Sequence, residues 1–205
     1  MTTRIHLVRH AAHDDLGRYL AGRTPFIGLG PAGRRQAEHL ADVLRRDTID
    51  LLQTSPVQRA RETAEAVARQ TGRAVEVVPA LEEIDFGAWS GLSFDELNTD
   101  DHWRRWNVAR SITTTPAGET MLDVQHRVFG HVLRMVAAHR GKSILMVSHA
   151  DPIRAALAVL LALSLDKLAS IEIQPASIST IAFDDWGAVI LGINRLSPDE
   201  PGSLR

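Results

Sequence analysis

Apolar and polar positions switch between two periods along this chain. Residues 4–8 form a short apolar run, which predicts a first strand. Over 31–46, Ala37, Leu40, Ala41 and Leu44 recur at the three-and-four spacing of a helix with one buried face. Residues 49–53 return to a strand pattern, 56–70 to a helix, and 75–78 to a strand. Residues 93–108 predict short helices, opened by Ser93 and Glu96 in the arrangement of a capping box. A long helix is predicted over 119–139, its apolar stripe formed by Met121, Val124, Val128, Val132, Met135 and Val136. Residues 143–147 are apolar without a break, as in a parallel strand buried on both faces. A helix over 152–162 follows, then strands at 171–173, 178–183 and 188–193.

Strand and helix alternate, which predicts an α/β fold: a mainly parallel central sheet covered by helices on both faces, a three-layer α/β/α sandwich. With 205 residues the chain suits one domain over 1–196, followed by a loose tail over 197–205. The formal net charge of -2 gives no reason to expect a nucleic acid or a membrane surface as partner. There is no cysteine, so disulfides, thiolate nucleophiles and cysteine-ligated zinc are excluded. The first ten residues lack the pattern of a signal peptide. No apolar run reaches the roughly 18 residues of a spanning helix. The cytoplasm is the expected compartment.

In open α/β sheets, ligands bind beyond the carboxyl ends of the strands. Arg9 and His10 follow the first predicted strand. Ser55, Pro56 and Arg59 follow the second, and Glu82, Glu83 and Asp85 follow the third. Ser148 and His149 follow the late central one. Each alone has an ordinary structural reading; their convergence on one sheet edge does not. Ser55 reads as a helix N-cap with Pro56 in first position and Gln58 completing a capping box; Asp151 and Pro152 read the same way for a later helix. Arg59 shares a helix face with Thr63 and Ala66. Arginines beside helix N-termini suit a phosphoryl anion.

These residues resemble the motifs of the histidine phosphatase superfamily, branch 1, the phosphoglycerate mutase-like family. Leu7-Val8-Arg9-His10 resembles its opening motif. Thr54-Ser55-Pro56 with Arg59-Ala60 and Thr63-Ala64 resembles the second. Leu81-Glu82-Glu83 leading to Phe86-Gly87-Ala88-Trp89-Ser90-Gly91 resembles the acid-bearing loop. Pro116-Ala117-Gly118-Glu119 with Arg127, and Val147-Ser148-His149 with Ile153-Arg154, resemble two later segments. The matches keep the family's order and span residues 4–183.

The resemblance implies a metal-independent phosphoric monoester hydrolase of the histidine acid phosphatase type, with no cofactor. His10 would be the nucleophile that becomes phosphohistidine. Arg9, Arg59 and His149 would hold the phosphoryl oxygens, and Glu83 would be the proton donor, with Glu82 and Asp85 as rivals. Arg23, His13 and Ala150 are further candidates for contact with substrate. Ala11 and Ala150 stand where the family usually has glycine, which is acceptable if neither position needs a positive φ. His13 replaces a usual threonine and Ala12 a usual glutamate. Trp103 and Trp106 either cap the pocket or belong to an amphipathic helix packed on the domain. His6, His39, His102, His126, His131 and His139 read as structural or solvated.

The expected partner is a small phosphorylated molecule; a homodimer is left open. Two other functions compete. A cofactor-dependent phosphoglycerate mutase-type phosphotransferase would share the site, but the short stretch over 92–116 favours a phosphatase. A non-catalytic phospholigand-binding module would have lost His10 or Glu83. A dinucleotide-binding oxidoreductase is excluded, because no G-x-G-x-x-G turn follows the first strand.

Overall fold

A computed structural model describes residues 1–196; the tail expected over 197–205 lies outside them. The elements are β1 (Thr3–Arg9), α1 (Pro31–Leu44), β2 (Leu51–Thr54), α2 (Gln58–Thr71), β3 (Val75–Val77), α3 (Phe94–Leu97), α4 (Asp101–Val108), α5 (Met121–Ala138), β4 (Ser143–Ser148), α6 (Ala150–Leu160), β5 (Ile178–Asp184) and β6 (Gly187–Arg195), with short 3-10 turns at Pro79–Leu81, Gly87–Trp89 and Leu165–Ser170. The strands form one sheet in the order β3-β2-β4-β1-β5-β6. β3, β2, β4 and β1 run parallel, and β5 and β6 add an antiparallel edge. This is the mainly parallel α/β sandwich that the pattern predicts.

The pleat of the central strands divides the core. Ile5 and Leu7 of β1, with Ile144 and Met146 of β4, pack toward α5 and α6. Val8, Leu52, Leu145 and Val147 pack toward α1 and α2. All eight are buried, and at about 1.5–3 kcal/mol for each large aliphatic side chain this burial is the main force closing the layers. The stripe of α1 is buried as its spacing requires, through Ala37, Leu40, Ala41 and Leu44. Along α5, Met121, Val124, Val128 and Val132 are buried and His131 joins them, its Nε2 2.8 Å from Gln53 Oε1.

Three local expectations are corrected. Residues 171–173 are not a strand: Ile171 and Ile173 are buried, but their carbonyls accept from arginine side chains instead of a sheet neighbour. Ser55 does not cap α2. The helix begins at Gln58 after Val57, and Ser55 Oγ accepts the Val57 N–H in a tight turn, while Gln58 donates to Glu62. Asp151 and Pro152 lie inside the first turn of α6, whose N-cap is His149. The capping box of Ser93 and Glu96 forms as expected.

Candidate active site

The register of the parallel strands builds the site. Arg9 of β1 lies opposite Ser148 of β4, and the His10 N–H donates to the Ser148 carbonyl at 2.9 Å. Both chains then leave the sheet side by side, so the rings of His10 and His149 stand 5.0 Å apart. The Ser55 N–H donates to the Val147 carbonyl, which brings the start of the α2 connection to the same edge.

The hydrogen bonds of His10 fix its tautomer. Nδ1 lies 2.8 Å from the Ala11 carbonyl, an acceptor only, so Nδ1 carries the proton. Nε2 then holds a free lone pair, toward which Arg59 Nε donates at 3.1 Å. Burial, followed by the charges of Arg59 and Arg9, holds the His10 pKa well below the usual histidine value. The ring is neutral at physiological pH, as a nitrogen nucleophile must be.

Arg59 is 1% exposed. It also donates to the Gly22 carbonyl at 2.8 Å and meets His149 Nδ1 at 3.2 Å. The other nitrogen of His149 is 2.8 Å from Ser55 Oγ. Burial, then Arg59, holds the His149 pKa well below the usual histidine value. Arg9 is anchored through Nη1 on the Ile173 carbonyl at 2.7 Å.

Of the three carboxylates in the acid loop, only that of Glu83 faces the cavity. Its Oε2 lies 3.8 Å from His149 Nδ1. Burial, then repulsion by Asp151, raises its pKa to about 7. Glu82 and Asp85 turn instead toward Arg23, at 3.5 and 3.7 Å. Arg23 belongs to this loop framework and does not line the cavity: its Nε donates to the Glu83 carbonyl and its Nη2 to Glu119. The expected phosphate contact of Arg23 thus stands apart from where its guanidinium is engaged here, by the acid loop and Glu119. Arg127 completes the clamp, donating to the carbonyls of Ala80, Glu82 and Glu83 and to both oxygens of Glu119. The two later motif residues Glu119 and Arg127 thus set the backbone that carries Glu83.

The cavity has a volume of about 270 Å³. His13 lines it, 6% exposed, its ring centroid 6.0 Å from that of His10; burial lowers its pKa to about 4. Ala150 lines it too. Neither Ala11 nor Ala150 has a positive φ, so both positions accept alanine without strain. Trp103 and Trp106 serve both alternatives at once: they stack on each other at 5.3 Å within an aromatic cluster with Phe86 and Trp89, and they form one wall of the cavity. Two charged cavity residues were not read from the sequence as site residues. Arg110 lies outside every motif, and Asp151 reads as a helix cap.

Buried polar atoms in folded proteins nearly always find partners. Seven side-chain nitrogens and oxygens among the described residues do not, and five of them belong to residues lining this cavity: Arg9 Nε, Arg59 Nη1, His13 Nδ1, Trp106 Nε1 and Arg110 Nε. A larger cavity of about 660 Å³ lies toward the opposite ends of the parallel strands, beside Arg4, His6 and Ser143, and contains none of the five. Among the described residues no group of three or more histidine or acidic side chains comes together as a metal site, and no helix is long and apolar enough to cross a membrane.

A neutral buried histidine, two arginines with unpartnered N–H groups and a carboxyl poised near neutrality thus meet in one cavity at the strand ends. Residues 5–196 match the model of the histidine phosphatase superfamily (branch 1), and the chain belongs to that family. It is 32% identical to phosphoserine phosphatase 1 of Hydrogenobacter thermophilus over 93% of this chain and 92% of that protein. It is 37% identical to a bifunctional protein of Mycobacterium tuberculosis over 91% of this chain, which spans only 52% of that protein. A crystal structure of Entamoeba histolytica phosphoserine phosphatase in complex with 3-phosphoglyceric acid is similar with a TM-score of 0.85 and 25% identity, over 95% of this chain and 98% of that one.

Proposed function

We propose that this protein hydrolyses a small phosphomonoester through a phosphohistidine on His10, without a metal. The lone pair of His10 Nε2 attacks phosphorus and the ester P–O bond breaks. Glu83, protonated, gives its proton to the leaving oxygen. The carboxylate so formed then takes a proton from water, whose oxygen attacks the phosphohistidine. Inorganic phosphate leaves, and His10 returns neutral.

Arg9 and Arg59 supply N–H groups to the phosphoryl oxygens, and Arg59 Nε exchanges His10 Nε2 for one of them. An entering dianion favours protonation of His149, making it a third donor. The observation that carries this reading is the His10 tautomer: the Ala11 carbonyl fixes the proton on Nδ1 and leaves Nε2 unprotonated, accepting from Arg59 Nε beside the unpartnered Arg9 Nε and Arg59 Nη1. The phosphatase names of the Hydrogenobacter and Entamoeba relatives agree with it. A proton donor loaded only below about pH 7 is consistent with the finer reading, a hydrolase of the histidine acid phosphatase type.

The test is phosphate release from p-nitrophenyl phosphate, sugar phosphates, nucleotides and phosphoglycerates with EDTA present. Release that persists in EDTA and disappears in His10→Ala, with the fold unchanged by circular dichroism, is expected. Turnover retained in His10→Ala, or lost in EDTA and restored by a metal, overturns the reading. Interconversion of phosphoglycerates without phosphate release would make the protein a mutase.

A further inference from the structure

The five unpartnered buried nitrogens do not all face the phosphoryl group. Arg9 and Arg59 serve His10. Trp106 Nε1 and Arg110 Nε belong to the aromatic wall, where the Arg110 guanidinium lies 4.0 Å over the Trp106 ring. Trp106 is fully buried and Arg110 is 8% exposed. The other two guanidinium nitrogens of Arg110 are engaged, Nη1 with Asp151 Oδ1 at 3.1 Å and Nη2 with Asn107 Oδ1 at 3.2 Å. Its orientation is therefore fixed while Nε has no partner. Arg154 shares the same Asp151 oxygen at 3.0 Å and is anchored by Nε on the Ile171 carbonyl.

One carboxylate thus stands between two guanidinium groups, and one positive charge on this wall is left over. A buried cation without a counter-ion is costly. The cavity as a whole carries four arginines, Arg9, Arg59, Arg110 and Arg154, against Asp151 and Glu83, which is uncharged when it serves as the proton donor. A phosphoryl dianion alone leaves it positive. That residual charge favours a further anionic group on the substrate, and the single unpartnered N–H on each of Arg110 and Trp106 suits a carboxylate.

We propose that Arg110 Nε and Trp106 Nε1, backed by Arg154, form a second subsite that binds a carboxylate of the substrate. The substrate is then a small phosphomonoester that bears a carboxylate. This rests on the phosphatase reading, and it makes Arg110 and Trp106 specificity residues that never touch the phosphoryl group.

The experiment compares esters that differ only in the carboxylate: O-phosphoserine against O-phosphoethanolamine, and 3-phosphoglycerate against glycerol 3-phosphate. Charge-assisted hydrogen bonds to the carboxylate give an expected kcat/KM preference of about 10- to 100-fold for the carboxylated member. In Arg110→Gln the preference falls toward 1, a ratio in which any general loss of activity cancels. Trp106→Phe keeps the ring but lacks the N–H, and is expected to reduce the preference several-fold; it also serves if Arg110→Gln does not fold. Hydrolysis of both members at equal kcat/KM by the wild type overturns the subsite while leaving the phosphatase intact. So does a preference unchanged in both variants. Release from none of the esters, p-nitrophenyl phosphate included, overturns the phosphatase reading and the subsite with it.

Discussion

At the scale of single residues, burial moves His10 and Glu83 in opposite directions from their ordinary values. His10 and Glu83 are both buried, but burial disfavours the charged form of each, so the base stays unprotonated and the acid stays protonated. Two predictions for Glu83 follow from its pKa of about 7. As a proton donor it is active below that value, so kcat/KM for alkyl phosphates falls as pH rises through about 7. Glu83→Gln removes this limb and slows alkyl phosphates by about 100-fold or more. p-Nitrophenyl phosphate, whose phenolate leaves with little help, is slowed much less. Equal slowing of both substrate types, measured by steady-state kinetics, refutes the acid role.

At the scale of elements, the acid loop is positioned by the segment over 116–119, and glycine makes their contact close enough. Gly87 has φ +56°, and a Cβ there would run into the carbonyl of Pro116; a Cβ on Gly118 would meet the Asp85 carbonyl. The Ala88 N–H donates to Pro116 and the Glu119 N–H to Asp85 across this seam. Gly91, with φ +85°, faces open space. Gly91→Ala therefore costs only the left-handed strain, about 1–2 kcal/mol. Gly87→Ala adds a backbone collision, is expected to cost several kcal/mol, and lowers kcat by displacing Glu83. Thermal melts and kcat of the two variants, compared side by side, check this; equal losses would show that the seam does not matter.

At the scale of the whole molecule, the same buried groups make stability depend on pH in two opposing ways. His10 and His149 have lowered pKa values, so the stability tied to keeping them neutral is present above pH 6.5 and is lost as pH falls below it. Glu83 is the reverse: raised from 4.5 to about 7, it is protonated in the folded state, and the stability it contributes is lost as pH rises from 4.5 through 7. Glu83→Gln removes this second loss. The variant is expected to match the wild type in stability below pH 4.5 and to exceed it by on the order of 1–3 kcal/mol above pH 7.5. Urea denaturation at the two pH values measures the difference. A variant no more stable at the higher pH would contradict the raised pKa.

The fold and the centre of the site were legible in the sequence because both follow from local patterns. The stripes of α1 and α5 and the unbroken apolar run of β4 specify layers around a parallel sheet. In such a sheet Arg9, His10, Ser55 and His149 fall at one edge by their position after strands. The choice of Glu83 over Glu82 and Asp85 rested on the family resemblance alone, since by local pattern three acids in four residues differ only in which way the loop turns them. Arg23 and Arg127 make that decision from distant segments. Arg23 lies where an arginine near a phosphate site also finds carboxylates, and here it pairs with Glu82, Asp85 and Glu119. Residues 171–173 show a local error: an apolar alternation without a strand partner, whose carbonyls bind Arg9 and Arg154. Arg110 carried no signal at all, because a lone arginine between helices becomes a binding group only when packing buries it on Trp106 with one nitrogen unpaired. The sequence by itself determined the layers, the strand-end placement of His10 and the family, all carried by periodicity and short motifs. Tertiary structure alone decided which acid faces the cavity, which arginines do, and how much charge the cavity has left for a ligand, because burial and long-range pairing set those energies.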